Sequence, residues 1–363
     1  MKTYYNILVL CFLFPLVAFA NSDTKFKGKY TKEKTVNKEF KVQADASLTI
    51  DNKYGNITIA TWDENRTVIE VIIKTNGDNE KDVQERLNDI SIDLSGTNTS
   101  VNAKTNIDKK ENSWGWKNNK SVSMEINYII KMPKSNSVNL SNIYGAISLD
   151  NLDGNADITA KYGQVNIGNL NAIYNELTLK YIDAANIDFI KYGTINSAYS
   201  DLNLRKVGDI KLFADYTKTK IGSAGSIKYK NRYGKIRIED VKDISGDGSY
   251  NEVSIEVISG QSVFDLRYSG LSVSKFTASA KNVTIDGRYS RINLGIDSNY
   301  SFNLEADLNY GSLKGTDVLT LKPQEGKGRS KHYEGYYGSP SSKNKITIDS
   351  SYGTVTFKRI QTN

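Results

Sequence analysis

Along most of the chain the apolar positions follow a tyrosine. The unit is Tyr, a small or polar residue, any residue, then apolar-x-apolar. It reads YGNITI at Tyr54, YGAISL at Tyr144, YGQVNI at Tyr162, YSDLNL at Tyr199 and YGKIRI at Tyr233. It continues as YNEVSI at Tyr250, YSGLSV at Tyr268, YSRINL at Tyr289 and YGTVTF at Tyr352. Tyr174, Tyr181, Tyr192, Tyr216 and Tyr310 open looser versions. From Tyr144 to Tyr310 the main series advances in steps of 17 to 21 residues, and Tyr352 follows Tyr310 by 42, the length of two units. That gap predicts a missing coil, its place taken by a loop insertion near 322–342.

Within a unit, apolar residues fall at about +3, +5, +8, +11 and +13 from the Tyr, as in Leu202, Leu204, Val207, Ile210 and Leu212 after Tyr199. The pairs at +3/+5 and +11/+13 alternate with period two, the mark of a strand with one buried face. Position +8 lies beside Gly, Ser, Asp or Asn and marks a corner. Each unit therefore predicts two short strands and two turns, and no unit holds an amphipathic helix. One such unit cannot close a core, but stacked copies can. The expectation is an all-β chain. Its main part is a parallel β-solenoid of about ten coils, roughly 50 Å long at the usual strand spacing. An antiparallel sandwich built from hairpins is the alternative architecture.

Residues 21–135 follow another plan. Segments 37–42, 47–51, 57–60, 68–74, 90–94 and 122–131 read as strands. Between them Val83, Leu87 and Ile90 recur at helical spacing behind Asp78, a capping residue, which predicts one short helix. An open end of stacked strands invites edge-to-edge pairing, so this region is expected to act as a β-rich cap. Pro133 marks the passage to the repeats, and 136–363 forms the solenoid. Residues 1–20 carry one Lys, an apolar run over 7–19 and Ala18-Phe19-Ala20 before a polar residue, the layout of a secretory signal peptide. The run is short of the roughly 20 residues that span a bilayer. The expectation is an exported chain with no transmembrane segment after cleavage, placed in the periplasm, on the cell surface or outside the cell.

Strand alternation points the motif tyrosines to the outer face or the corner, and half of them follow a Lys or Arg. One reading is structural, with stacked rings and cationic stems covering the sheet. The other is a binding face, since aromatics flanked by cations suit sugar rings and other planar surfaces. The candidate binding residues are Tyr162, Tyr199, Tyr233, Tyr250, Tyr268 and Tyr289. Trp114 and Trp116 in the polar loop 109–120 join them, as do Tyr336 and Tyr337 in 322–342. Folding of the loop rings back onto the coils is the competing reading.

Composition narrows the chemistry. The chain has one His and one Cys, too few for a zinc site or a disulfide framework. The Cys, Cys11, lies in the signal segment, and the His, His332, is expected in a loop. No Asp-Asp pair, phosphate loop or calcium repeat occurs. No cofactor, metal or catalytic residue is therefore expected. The formal net charge of +7 comes from interspersed charges, which disfavours nucleic acid and leaves anionic cell-surface polymers as candidate contacts.

The order of features resembles the bacterial putative-adhesin family of β-strand-repeat domains, and also the head domain of autotransporter adhesins. The resemblance rests on YGNITIATW, the helix near 79–90, the segment IIKMPKSNSVNLSNIYGAISLDNLDG and the coils that follow. It implies an exported, non-catalytic cell-envelope protein that binds a cell-surface glycan or an envelope protein. Two other readings stay open: a periplasmic structural or sensing component with a protein partner, and a polysaccharide-active β-helix enzyme. The Tyr opening each coil departs from the plainer Gly-led pattern of the family.

Overall fold

The computed structural model describes residues 26–108, 122–323 and 329–360. The expected signal segment, and Trp114 and Trp116, lie outside the described residues. Among the described residues the chain is all-β, with 25 strands in one hydrogen-bonded system and one α-helix, Glu80–Asn88.

Successive repeats pair in parallel. Leu202 pairs with Thr219, Thr219 with Ile236, Ile236 with Val253 and Val253 with Leu271. Parallel pairing at a constant step brings equivalent positions into columns. The sequence makes the inner columns apolar, so they become continuous walls of the core. After Tyr199 the expected inward positions, Leu202, Leu204, Val207, Ile210 and Leu212, are all buried. Each such side chain contributes about 1.5–3 kcal/mol by leaving water. Outer columns are polar and link coil to coil. Asn203 donates to Asn186 and Asn186 to Asn166, each at 3.0 Å. Arg205 pairs with Asp188 at 3.1 Å and Arg232 with Asp215 at 3.0 Å, each pair 17 residues apart.

At the N-terminal end Ser47–Lys53 and Ile57–Trp62, which flank Tyr54, pair in parallel with Ser137–Ile143 and Ile147–Leu149. The coil opened by Tyr54 is thus continuous with the stack. Ser100–Ile107 and Ser123–Pro133 still pair in parallel with Ser47–Lys53 and Ile57–Trp62, and beyond them the pairing turns antiparallel. Tyr30–Lys41 pairs with Arg66–Gly77, which pairs with Ser123–Pro133, while Ile90–Gly96 pairs with Ser100–Ile107. This last strand was not anticipated, because its apolar positions are only Val101, Ala103 and Ile107. The helix lies against Tyr30–Lys41 and Arg66–Gly77 and buries Val83 and Leu87. Its N-cap is Asn79, not Asp78: the Asn79 side chain accepts from the Lys81 and Asp82 amides.

The C-terminal end does not stack in chain order. Residues 322–342 do not form a parallel coil, and the last coil is inserted between two earlier ones. Lys345–Ser351 pairs in parallel with Val283–Arg288 on one side and Phe302–Asn309 on the other. Ser330–Tyr337 is a strand, antiparallel to Phe302–Asn309, and covers the outer edge of the stack. His332 therefore stands on a strand, not in a loop.

Candidate binding surface

The repeat tyrosines share one backbone state. Tyr54, Tyr144, Tyr162, Tyr181, Tyr199, Tyr216, Tyr233, Tyr250, Tyr268, Tyr289, Tyr310 and Tyr352 all lie at φ between 50° and 64°, in the left-handed region. That costs an L-residue about 1–2 kcal/mol. The chain turns a corner at each of these residues, and the left-handed conformation swings the side chain outward. The Tyr amides reach the neighbouring coil: Tyr199 donates to Asp215, Tyr216 to Arg232, Tyr250 to Arg267 and Tyr268 to Arg288, at 2.9–3.0 Å. Where the next residue carries a hydroxyl, it turns inward and donates to the carbonyl before the Tyr. Ser200 bonds Ala198, Thr217 bonds Asp215, Ser269 bonds Arg267 and Ser290 bonds Arg288 at 2.8–2.9 Å. Where it is Gly, the neighbouring backbone is too close for anything else: a Cβ on Gly145 would lie 1.8 Å from the Gly55 oxygen.

The twelve rings form one ladder. Neighbouring centroids are 4.8–5.3 Å apart and neighbouring planes differ by 1–18°. Each contact adds about 0.5–1.5 kcal/mol beyond the area it buries, which offsets the left-handed backbone. The last ring is closed by a cation. The Arg329 guanidinium sits 4.9 Å from the Tyr310 centroid and donates to its hydroxyl at 3.1 Å, while the Arg329 carbonyl accepts the Tyr310 amide. Arg329 thus supplies at the end what each following coil supplies elsewhere.

Tyr162, Tyr199, Tyr233, Tyr250, Tyr268 and Tyr289 are all rungs of this ladder, and each is about half exposed. Their faces cover one another. A sugar or aromatic group inserted between two rings needs about 7 Å, two carbon contact distances. The spacing forbids that, so only ring edges and hydroxyls meet solvent. Tyr336 and Tyr337 lie elsewhere, on the terminal strand. Tyr337 is buried and packs on Phe302 at 5.7 Å, so its ring folds back onto the coils. Tyr174 and Tyr192, which open looser units in the sequence, are not rungs: neither is left-handed and neither stacks on another ring. They are 70% and 41% exposed.

Two charged features escape a reading of repeats alone. Asp247, Asp265, Asp286, Asp349 and Asp307 stand opposite one another on consecutive strands. Like charges in register repel, and cations answer them: Lys230 on Asp247 at 3.5 Å, Arg267 on Asp265 at 3.2 Å and Arg288 on Asp286 at 3.9 Å. At the end of this column His332 Nδ1 meets Asp307 at 2.7 Å and its Nε2 meets Glu334 at 3.4 Å. Asp307, then Glu334, hold the imidazolium and raise its pKa. Glu334 is also bound by Lys322 at 2.6 Å, which lowers its pKa. Among the described residues no group of three or more His, Cys, Asp or Glu side chains could hold a metal ion. Among the described residues no helix is long and apolar enough to cross a membrane.

A buried polar chain backs the first rung. Thr105 Oγ1 lies 2.8 Å from the Tyr128 hydroxyl and donates to Asn52 at 2.9 Å, and Asn52 donates to Asn142 at 3.2 Å. Burial pushes the Tyr128 phenol up to about 12.

No protein-family model matches the chain, and no curated protein matches it. Among solved structures the chain is similar to bacterial proteins described as putative adhesins. One from Parabacteroides distasonis covers 90% of this chain and 97% of its own at 10% identity, with a TM-score of 0.30. One from Parabacteroides merdae covers 90% and 96% at 12% identity, with a TM-score of 0.29. One from Bacteroides fragilis covers 90% and 97% at 12% identity, with a TM-score of 0.26.

Proposed function

We propose that the chain is an exported, non-catalytic β-solenoid that serves as an adhesin-like binding scaffold of the cell envelope. In this reading 1–20 is a removed signal, 21–135 is a cap that lends the stack its Tyr54 coil, and 136–363 carries the remaining coils. The observation that carries the reading is the unbroken twelve-ring ladder. It fixes every coil in register and makes a rod on the order of 50 Å long at the spacing of stacked strands. Such a rod keeps its inner columns apolar while its outer columns vary from coil to coil, which suits presentation of a surface. The His332 cluster fits the same reading, since its charges are spent on one another at the end of the stack.

Protease treatment of intact cells, followed by fractionation, tests this. The expected result is loss of the chain from intact cells. Protection in intact cells with release in the periplasmic fraction would instead support a periplasmic structural or sensing role. Turnover of a polysaccharide, abolished by one Asp or Glu substitution, would overturn the non-catalytic reading.

A further inference from the structure

We infer that the open cleft beside Tyr174 and Tyr192, rather than the tyrosine ladder, is a site for a short neutral oligosaccharide. The inference deepens the scaffold reading and rests on it. The cleft has a volume of about 680 Å³, within the roughly 300–1,000 Å³ of small-molecule sites. Tyr174 and Tyr192 line it from neighbouring turns of the chain, with Ile173, itself 57% exposed. Among the described residues these are the two repeat tyrosines whose faces no other ring covers. An aromatic face is the negative part of its quadrupole, and the polarised C–H groups on one side of a sugar ring are its natural complement. A ladder of ring edges offers no such face.

The polar wall matches the same ligand. Glu176, Asp209 and Lys211 line the cleft, and none of them forms an ion pair or side-chain hydrogen bond among the described residues. Asp157 and Lys228 line the same cleft and are likewise without an ion pair among the described residues, while other outward charges nearby pair from coil to coil, as Arg205 with Asp188 and Arg232 with Asp215. Unspent acceptors and a donor of opposite charge suit a ligand rich in hydroxyls, which both donate and accept, better than a ligand of one charge. Asn175, 4% exposed, lies at the floor. Its Nδ2 donates to the carbonyls of Ala172 and Tyr192 at 3.0 and 2.8 Å, which fixes the backbone that carries both rings.

The test titrates the full chain by calorimetry with cello-, laminari-, manno- and chitotetraose, then repeats it with Tyr174→Ala, Tyr192→Ala and, as a ladder control, Tyr144→Ala. The expected result is binding of at least one tetraose. Its affinity should fall about tenfold or more in each cleft variant, as for buried aromatic anchors, and stay unchanged in the control. Tyr174 is so exposed that its truncation leaves the fold intact, which circular dichroism verifies. Binding of none of the four, or binding that ignores both cleft variants, overturns the inference. Capture of an envelope protein that Tyr174→Ala abolishes would give the cleft to a protein partner and also overturn it. Exposure on intact cells without saccharide binding sinks the cleft alone, whereas protection from protease in intact cells sinks the scaffold reading.

Discussion

Tyr352 stacks on Tyr289 with ring centroids 4.8 Å apart, although Tyr310 opens the coil that follows Tyr289 in the chain. The coil of Tyr352 has been driven between two coils that residues 298–301 join directly. Without it their strands would stand about 9.6 Å apart, two strand spacings, with peptide groups unpaired on both sides. Lys345–Ser351 and Thr354–Ile360 therefore join these two coils into one continuous stack.

Phe357 measures how much this coil holds. It is 2% exposed and packs on Phe302 at 6.2 Å. Phe357→Ala should cost about 3–5 kcal/mol, as for large buried aromatics, read from urea unfolding. A loss below about 1 kcal/mol would mean that the inserted coil is peripheral to stability.

The left-handed tyrosines make a second prediction. Tyr233 has φ 53° and touches rings on both sides, at 4.9 and 5.0 Å. Tyr233→Phe keeps the stack and should change stability little. Tyr233→Ala loses the stack and keeps the backbone cost. Tyr233→Gly loses the stack but is free of that cost, so it should be less damaging than Ala by about 1 kcal/mol. Equal effects of Ala and Gly would show that the backbone state is not what the position selects.

These effects mark where sequence patterning stops. The inner columns were legible because apolar side chains at +3, +5, +8, +11 and +13 report burial directly. The tyrosines were legible as unit starts, but not as left-handed corners, because Gly usually holds that conformation and here a Tyr precedes the Gly. Tyr174 and Tyr192 had the spacing of unit starts, and only the geometry shows that their rings stay out of the ladder. The inserted coil of Tyr352 was invisible: a 42-residue step counts residues along the chain, not the order in which strands pair. His332 looked like a loop residue because SKHYEGYY has few apolar positions, and its strand is fixed by pairing with Phe302–Asn309.

Tyr229 and Gly246 form a tight pair inside the core. Tyr229 stands at an apolar inner position, and its hydroxyl is buried without a partner. Burial pushes its pKa upward. Tyr229→Phe removes that hydroxyl and should leave stability unchanged or raise it by about 1 kcal/mol. Gly246 faces the ring from the next strand, where a Cβ would lie 2.0 Å from Cζ. Gly246→Ala should therefore destabilise strongly, and a Tyr229→Ala background should relieve the clash. A double-mutant cycle reads this as coupling between the two sites. Additive effects would show that the two residues do not meet.

The His332 cluster gives the end of the stack a pH signature. Asp307 and Glu334 raise the His332 pKa in the folded chain. The stabilisation that follows is fully present below the unfolded value of about 6.5 and is lost as pH rises through the higher folded value. Lys322 and His332 lower the Glu334 pKa, so its contribution is present above about 4.3 and is lost as pH falls through the depressed folded value. Both contributions coexist in the window between about pH 4.3 and 6.5. His332→Gln removes the titrating group while retaining a polar side chain. The stability difference between the parent chain and this variant should be larger at pH 5.5 than at pH 8.5, measured by urea unfolding at matched ionic strength. A difference that is flat with pH, or that grows toward alkaline pH, would show that the imidazolium does not hold Asp307 and Glu334 in the folded chain.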